Sequence, residues 1–260
     1  MTELAVTWWG HSSATVELAD IRVAVDPLLV DRLWHLRRDG PTPAPRAVDV
    51  DLVLVSHLHA DHLHVPSLRR MRAGAPVVVP RGTPTTLRRR LCGPVHEVVP
   101  GDVLDIAGVR VEVLEAYHDG RRTPAARTRA PALGFRVDDG SRSFWFPGDT
   151  GLRDTMRLVD PVDLALVPVG GWGPTLGDHH LDPDQAVTAA ERVGAVWSVP
   201  VHWGTFWPIG LRAVNRANHH RLFVTPGDRF AEAARREGVS TTPLLLTPGE
   251  RTVLPGGDHT

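Results

Sequence analysis

Seven residues near the first quarter of the chain have the composition of a metal site. Ser56-His57-Leu58-His59-Ala60-Asp61-His62 follows Asp51-Leu-Val-Leu-Val55, an apolar run that reads as a buried strand. In extended backbone, residues two apart face the same way, so His57 and His59 point together. Asp61 and His62 fall where the chain turns towards Pro66–Arg72. Three imidazoles and a carboxylate thereby converge within six residues. Nitrogen donors with one hard oxygen suit zinc, and also manganese or iron. A polar cluster placed at the end of a buried strand needs partners, and a cation supplies them.

Three later residues repeat the arrangement of a donor after a strand. His118 follows Val109–Ala116, Asp149 follows Ser143–Phe146 in a Pro-Gly-Asp-Thr turn, and His202 follows Ala195–Pro200. Taken alone, each has a bland reading as a hydrogen-bonded strand-end histidine, a turn aspartate or a core histidine.

The elements that must position these donors are those of an α/β protein. Short strands are expected at Leu4–Trp8, Thr15–Leu18, Arg22–Val25, Val77–Val79, Val95–Val99, Val103–Ile106 and Val109–Ala116. A hairpin, Leu133–Val137 with Ser143–Phe146, turns at Asp138-Asp139-Gly140. Leu164–Val169 and Ala195–Pro200 read as further strands, with Leu244–Leu246 and Thr252–Leu254 closing the chain. Helices are expected at Thr83–Leu91, with Thr83 as N-cap and Pro84 first, at Leu152–Leu158, at His180–Val193 behind an Asp182 cap, and at Pro226–Arg236. Leu28–Val48, rich in Pro, reads as irregular, and Asp119–Pro131 and Gly170–Asp178 as loops.

Composition narrows the function class. The 260 residues are 42% hydrophobic and 23% charged, with a formal net charge of −1. That balance fits a globular chain and offers no global field for nucleic acid or an anionic membrane. Cys92 is the single cysteine, so neither an internal disulfide nor a sulfur-ligated zinc site is available. There is no signal-like N-terminus and no apolar run near 18 residues, which makes a cytoplasmic location the expectation.

HxHxDH after an apolar strand, with His118, Asp149 and His202 following in order, resembles the metallo-β-lactamase superfamily of metallohydrolases. Trp9-Gly10-His11-Ser12-Ser13, Asp26-Pro27, Pro168-Val-Gly170, His180-Leu-Asp-Pro183 and Pro200-Val-His-Trp-Gly-Thr-Phe206 are similar to one branch. That branch holds the N-acyl-phosphatidylethanolamine-hydrolysing phospholipase D and L-ascorbate-6-phosphate lactonase. The likeness runs from about Trp8 to about Phe206. It implies one domain over residues 1–260, a four-layer αββα sandwich with the metals at one edge. It implies that His57, His59 and His118 hold one divalent ion, that Asp61, His62 and His202 hold a second, and that Asp149 serves both. Zinc is the first expectation, with manganese or iron as alternatives. Such a pair lowers the pKa of bound water to about neutral and so supplies a nucleophile. Iron-binding redox members carry Glu where this chain has His59, which favours hydrolysis over oxygen chemistry.

The expected activity is hydrolysis of an ester, lactone or phosphodiester in a small, anionic molecule. A phospholipase D-like action on N-acyl phospholipids is one alternative, and a non-catalytic metal-binding sensor another. Asp61 and His180 are the candidate catalytic residues, Asp61 by orienting the nucleophile and His180 by meeting the substrate. His11, Arg121, Arg122, Trp172 and Trp203 are candidate substrate residues. Arg121, Arg122, Arg127 and Arg129 crowd the loop after His118, which reads either as a solvated charged loop or as a lid whose guanidinium groups grip a phosphate or carboxylate. Trp34, Trp172, Trp203 and Trp207 could wall an apolar pocket. His64 and the pair His219-His220 read as surface residues. No nucleic acid or stable membrane insertion is expected, and self-association stays open.

Overall fold

The computed structural model describes residues 3–123, 129–171 and 176–255. Two seven-stranded sheets dominate it. In spatial order the first is Arg251–Leu254, Leu4–Gly10, Ser13–Leu18, Ile21–Val25, Leu52–Leu54, Val77–Pro80 and Val95–Val98. The second is Thr242–Pro243, Trp197–Val201, Leu164–Pro168, Ser143–Phe146, Leu133–Asp138, Val109–Glu115 and Val103–Ile106.

The strand sequences show why the sheets stack. Leu52 and Leu54 face a core shared with Phe135, Phe144 and Leu166 of the other sheet, while Val53 and Val55 face outward onto Leu63, Val65 and Leu68. In the second sheet Leu164 and Leu166 point inward, and Ala165 and Val167 meet the helices Pro183–Arg192 and Pro226–Glu237. Side chains alternate across a strand, so strands that are apolar on both faces require cover on both. The result is the four-layer αββα sandwich that the resemblance implies. Its outer layer over the first sheet is thin, with the single-turn helices Val65–Leu68 and Thr85–Arg88.

Several elements differ from the sequence expectation. Thr83 caps nothing: its hydroxyl donates back to the Pro80 carbonyl, and the helix runs only from Thr85 to Arg88. Leu152–Leu158 is reduced to a 3-10 turn at Asp154–Leu158. The edge strand expected at Leu244–Leu246 lies at Thr242–Pro243. Within Leu28–Val48, Arg32–Leu33 and Leu36–Arg38 pair with Phe206–Pro208 as a small third sheet. Buried Arg38 pins this sheet to the sandwich by donating to the Val30, Trp9 and Leu28 carbonyls. The Asp182 cap is present, with Gln185 completing a capping box. The chain after Pro208 forms the short helices Leu211–Val214 and Arg216–His219 and a π-turn at His220–Val224. Among the described residues no helix is long and apolar enough to cross a membrane.

This topology gathers loops at one edge. Leu4–Gly10, Ile21–Val25 and Leu52–Leu54 run in one direction in the first sheet, as do Val109–Glu115, Ser143–Phe146, Leu164–Pro168 and Trp197–Val201 in the second. His11, Asp26, His57, His118, Asp149 and His202 each lie just past the C-terminal end of one of these strands.

Candidate metal centre

The loop after Leu52–Leu54 is fixed before it presents any donor. The Ser56 carbonyl accepts from Leu133 N–H, docking the loop on the second sheet. The His59 carbonyl accepts from the N–H groups of His62 and Leu63, which turns the chain back. His57 and His62 are completely buried.

The hydrogen bonds behind the imidazoles settle which nitrogen is left for a ligand. Ser56 donates its N–H and its hydroxyl to the two carboxylate oxygens of Asp26. The hydroxyl oxygen, 3.0 Å from His57 Nδ1, then acts as acceptor, so His57 carries its proton on Nδ1. His62 Nδ1 donates to Asp26 Oδ2 at 2.7 Å, and His118 Nδ1 donates to the His179 carbonyl at 3.1 Å. In their neutral forms all three residues therefore turn a lone pair on Nε2 towards the site.

Those lone pairs meet other donors with too few protons between them. His57 Nε2 lies 2.8 Å and His118 Nε2 3.2 Å from His59 Nδ1. One proton on His59 satisfies one of these two contacts, whereas a cation satisfies all three nitrogens. Around Asp149 Oδ2, His62 Nε2 is at 3.4 Å, His202 Nε2 at 3.2 Å and His180 Nδ1 at 3.8 Å. Asp61 Oδ2 is 3.6 Å from His62 Nε2 and 3.0 Å from His11 Nε2. Ligand atoms about 2.1 Å from a tetrahedral ion stand about 3.4 Å apart, the range seen here. His62 Nε2, His202 Nε2, Asp149 Oδ1 and His180 Nδ1 are buried without a hydrogen-bond partner among the described residues. Orphaned polar atoms at this density are costly, and the set fits one or more cations.

The charge states agree. Burial pushes His57 well below the usual imidazole range and lowers His59 and His118 as well, so these three are neutral donors. Burial also takes His11 and His180 down to about 4. Burial opposes charge on Asp149, but His202 and His62 hold it well below the usual carboxylate value. Asp61 is likewise held ionised against burial, by His62 and His11. His62 rises, because the Asp149, Asp61 and Asp26 carboxylates outweigh its burial. A dication entering among these carboxylates displaces that proton.

Donor atoms close enough to share an ion fall into overlapping groups: His57, His59 and His118; His11, Asp61, His62 and His202; His118, Asp149 and His180; and Asp26, His57 and His62. The seven ligand candidates named from sequence are thus in one place, and His11 and His180 join them. Sequence reasoning placed Asp26 only in a branch motif, with no role at the site, and did not use Ser56. The available signal was an Asp-Pro closing an apolar strand. Asp26, His11 and His202 all hold positive φ, at 38°, 52° and 65°. Such backbone is uncommon outside glycine and concentrates at functional sites.

Other expectations need correction. Arg121 is paired with Asp119, whose carboxyl it pulls down to about 2. Arg122 donates from Nη1 to the Leu58 and Leu63 carbonyls at 2.8 and 2.6 Å, bracing the ligand loop from behind. Both guanidiniums are engaged within the fold, which removes the basis for an arginine grip. Arg127 and Trp172 lie outside the described residues. Trp34 is exposed at the tip of its hairpin. Trp203 stacks on Trp8 at 5.6 Å and donates its Nε1–H to the Pro200 carbonyl, while part of it lines a cavity beside the site. Trp207 lines the same cavity. His64 is buried and caps Val65–Leu68 by accepting from Ser67 N–H. His219 is buried too, stacked on Phe223 at 4.8 Å.

Comparison with known proteins points the same way. A model of the beta-lactamase superfamily domain matches residues 22–203. The N-acyl-phosphatidylethanolamine-hydrolyzing phospholipase D 1 of Caenorhabditis elegans is 30% identical, over 95% of this chain and 75% of its own length. A metal-dependent hydrolase of Nitratidesulfovibrio vulgaris is 33% identical, over 90% of this chain and 97% of its own. Among solved structures, a metallo hydrolase from the archaeon Ignicoccus hospitalis superposes with a TM-score of 0.73 at 22% identity, covering 98% of this chain and all of its own.

Proposed function

The chain belongs to the beta-lactamase superfamily and is a metal-dependent hydrolase, and from that premise we propose a binuclear enzyme that cleaves an ester, lactone or phosphodiester bond in a small molecule. The observation that carries the reading is the junction at Asp149. Its carboxylate faces His62, His202 and His180, and its second oxygen is buried without a hydrogen bond among the described residues.

In this reading His57, His59 and His118 would hold one ion, Asp61, His62 and His202 the other, and Asp149 would serve both. Nitrogen-rich donor sets of this kind favour zinc. Two such ions supply Lewis acidity and a water nucleophile competent at neutral pH. The protein's own groups supply orientation. Asp26 and Ser56 fix His57 and His62, and the His179 carbonyl fixes His118. Asp61, ionised and hydrogen-bonded to His11, is placed to orient the attacking group. His180 is neutral near pH 7 and presents an unpartnered Nδ1 beside Asp149, where it meets a substrate oxygen.

Phosphodiester cleavage on an N-acyl phospholipid is a second reading, supported by the nematode relative. Metal analysis separates these readings from a sensor when joined to a turnover panel of phosphodiesters, esters and lactones. The expected result is about two divalent ions per chain and activity abolished by chelator. Zero or one ion with full activity overturns the binuclear assignment, and two ions with no turnover across the panel overturns the enzyme.

A further inference from the structure

A cavity of about 300 Å³ opens beside the metal-ligand cluster, between the strand Phe206–Pro208 and the helical run of residues 211–224. Its near wall is made of the His11 and His202 rings, which stand 4.3 Å apart. The same two rings reach Asp61 and Asp149. The cavity therefore adjoins the proposed reaction centre, with these two rings shared between them.

Its lining is mainly apolar. Phe206, Trp207, Leu211, Leu222 and Phe223 stand in the wall with the uncharged polar Thr205, Asn215 and Asn218, and no Arg, Asp or Glu lines it among the described residues. The aromatic side is tightly built. Trp207 meets His219 at 4.9 Å and Phe223 at 5.7 Å, and His219 stacks on Phe223. A charged group placed there would lose hydration and, among the described residues, find no side chain of opposite charge in the lining, whereas an apolar group gains by leaving water.

We propose that this cavity binds an uncharged apolar portion of the substrate, a single chain or ring system, and holds the bond to be cleaved at the His11–His202 end. The assignment rests on the hydrolase reading above and adds the chemistry of the group next to the scissile bond. Size sets its limit. At about 30 Å³ for each water-sized group, the cavity takes roughly ten carbons. One medium-length acyl or alkyl chain, or a bicyclic ring, fills it. Two long lipid chains exceed it. Leu222 and Leu211 line the space from the helical run, so their bulk sets the length that fits.

The test uses neutral probes whose binding does not depend on turnover. Purified, metal-loaded protein is titrated calorimetrically with n-alkanols from butanol to tetradecanol. Affinity is expected to rise roughly fourfold per methylene up to about eight to ten carbons, then level off. Leu222→Trp and Leu211→Trp, which fill the cavity from two positions, should each move that break to shorter chains by several carbons. Leu158→Trp, on an exposed residue away from the cavity, should leave it in place. Absence of alkanol binding overturns the proposal. So does an affinity that climbs without a break through tetradecanol, or a break that neither cavity variant moves. A break that moves as expected, in a protein that hydrolyses none of the panel, retains the cavity assignment and refutes the hydrolase reading instead.

Discussion

Asp149 and His180 lie close together but carry different expected roles, and two substitutions separate them. Asp149→Ala removes an oxygen that faces both donor sets, so metal content is expected to fall to one ion or fewer per chain. His180→Ala is expected to keep both ions and lose turnover. If elemental analysis shows the two variants equally depleted, His180 is a ligand and the division is wrong. Asp26 acts one layer further back. Its carboxylate holds the protonated edge of His62 and both donors of Ser56. Asp26→Asn preserves shape but offers one acceptor oxygen where three donors converge. Partners behind a metal ligand are worth about 10–100-fold in affinity, and competition against a chromogenic chelator should show a loss of that size. An unchanged affinity would reduce Asp26 to a packing residue.

At the scale of elements, the ligand loop is braced by a segment distant in sequence. Arg122 reaches across to the carbonyls of Leu58 and Leu63, on either side of the donors His59, Asp61 and His62. Arg122→Ala should therefore weaken metal binding and leave KM unchanged for anionic and neutral substrates alike. A KM raised tenfold for the anionic substrate alone would restore the anion grip read from sequence. That reading counted arginines in a loop, and a count cannot show Asp119 two residues away or carbonyls about sixty residues upstream. His57, His59, Asp61 and His62 were legible as a donor cluster after an apolar strand, whereas His118, Asp149 and His202 were singled out by the family resemblance; they meet because strand ends share an edge in an α/β sandwich. Thr83–Leu91 misled because Thr-Pro is a common helix opening. The helix stops after one turn, since Arg88-Arg89-Arg90 gives it no apolar face to bury and none of its residues is buried. The run of residues 211–224 was not legible at all. Its helices are four residues long, too short for a 3.6-residue period to register, and the cavity wall they form exists only once Phe206–Pro208 pairs with Leu36–Arg38.

For the whole molecule, bound ions and the folded chain stabilise each other. A ligand that binds only the native state adds about 4 kcal/mol at a thousand times its Kd. For a chain of this size each kcal/mol shifts Tm by about 2–4 °C. Exhaustive chelation should then lower Tm by roughly 10 °C, reversibly on adding back zinc, as read by calorimetry. A Tm indifferent to chelator would mean that the donor cluster is held rigid by protein contacts alone.

The distribution of donors between the sheets has a mechanical consequence. His57 and His59 stand on the first sheet and His118 on the second; Asp61 and His62 stand on the first and His202 on the second. Each proposed ion is thus a rivet through the seam of the sandwich, joining chain positions more than fifty residues apart. Pulling the sheets apart along that edge would mean breaking coordination bonds, while the opposite edge is held by side-chain packing and by Arg142, which donates to the Leu254 and Pro255 carbonyls. Under load, the loaded protein should part first at the edge away from the metals, and the stripped protein should have lost that preference.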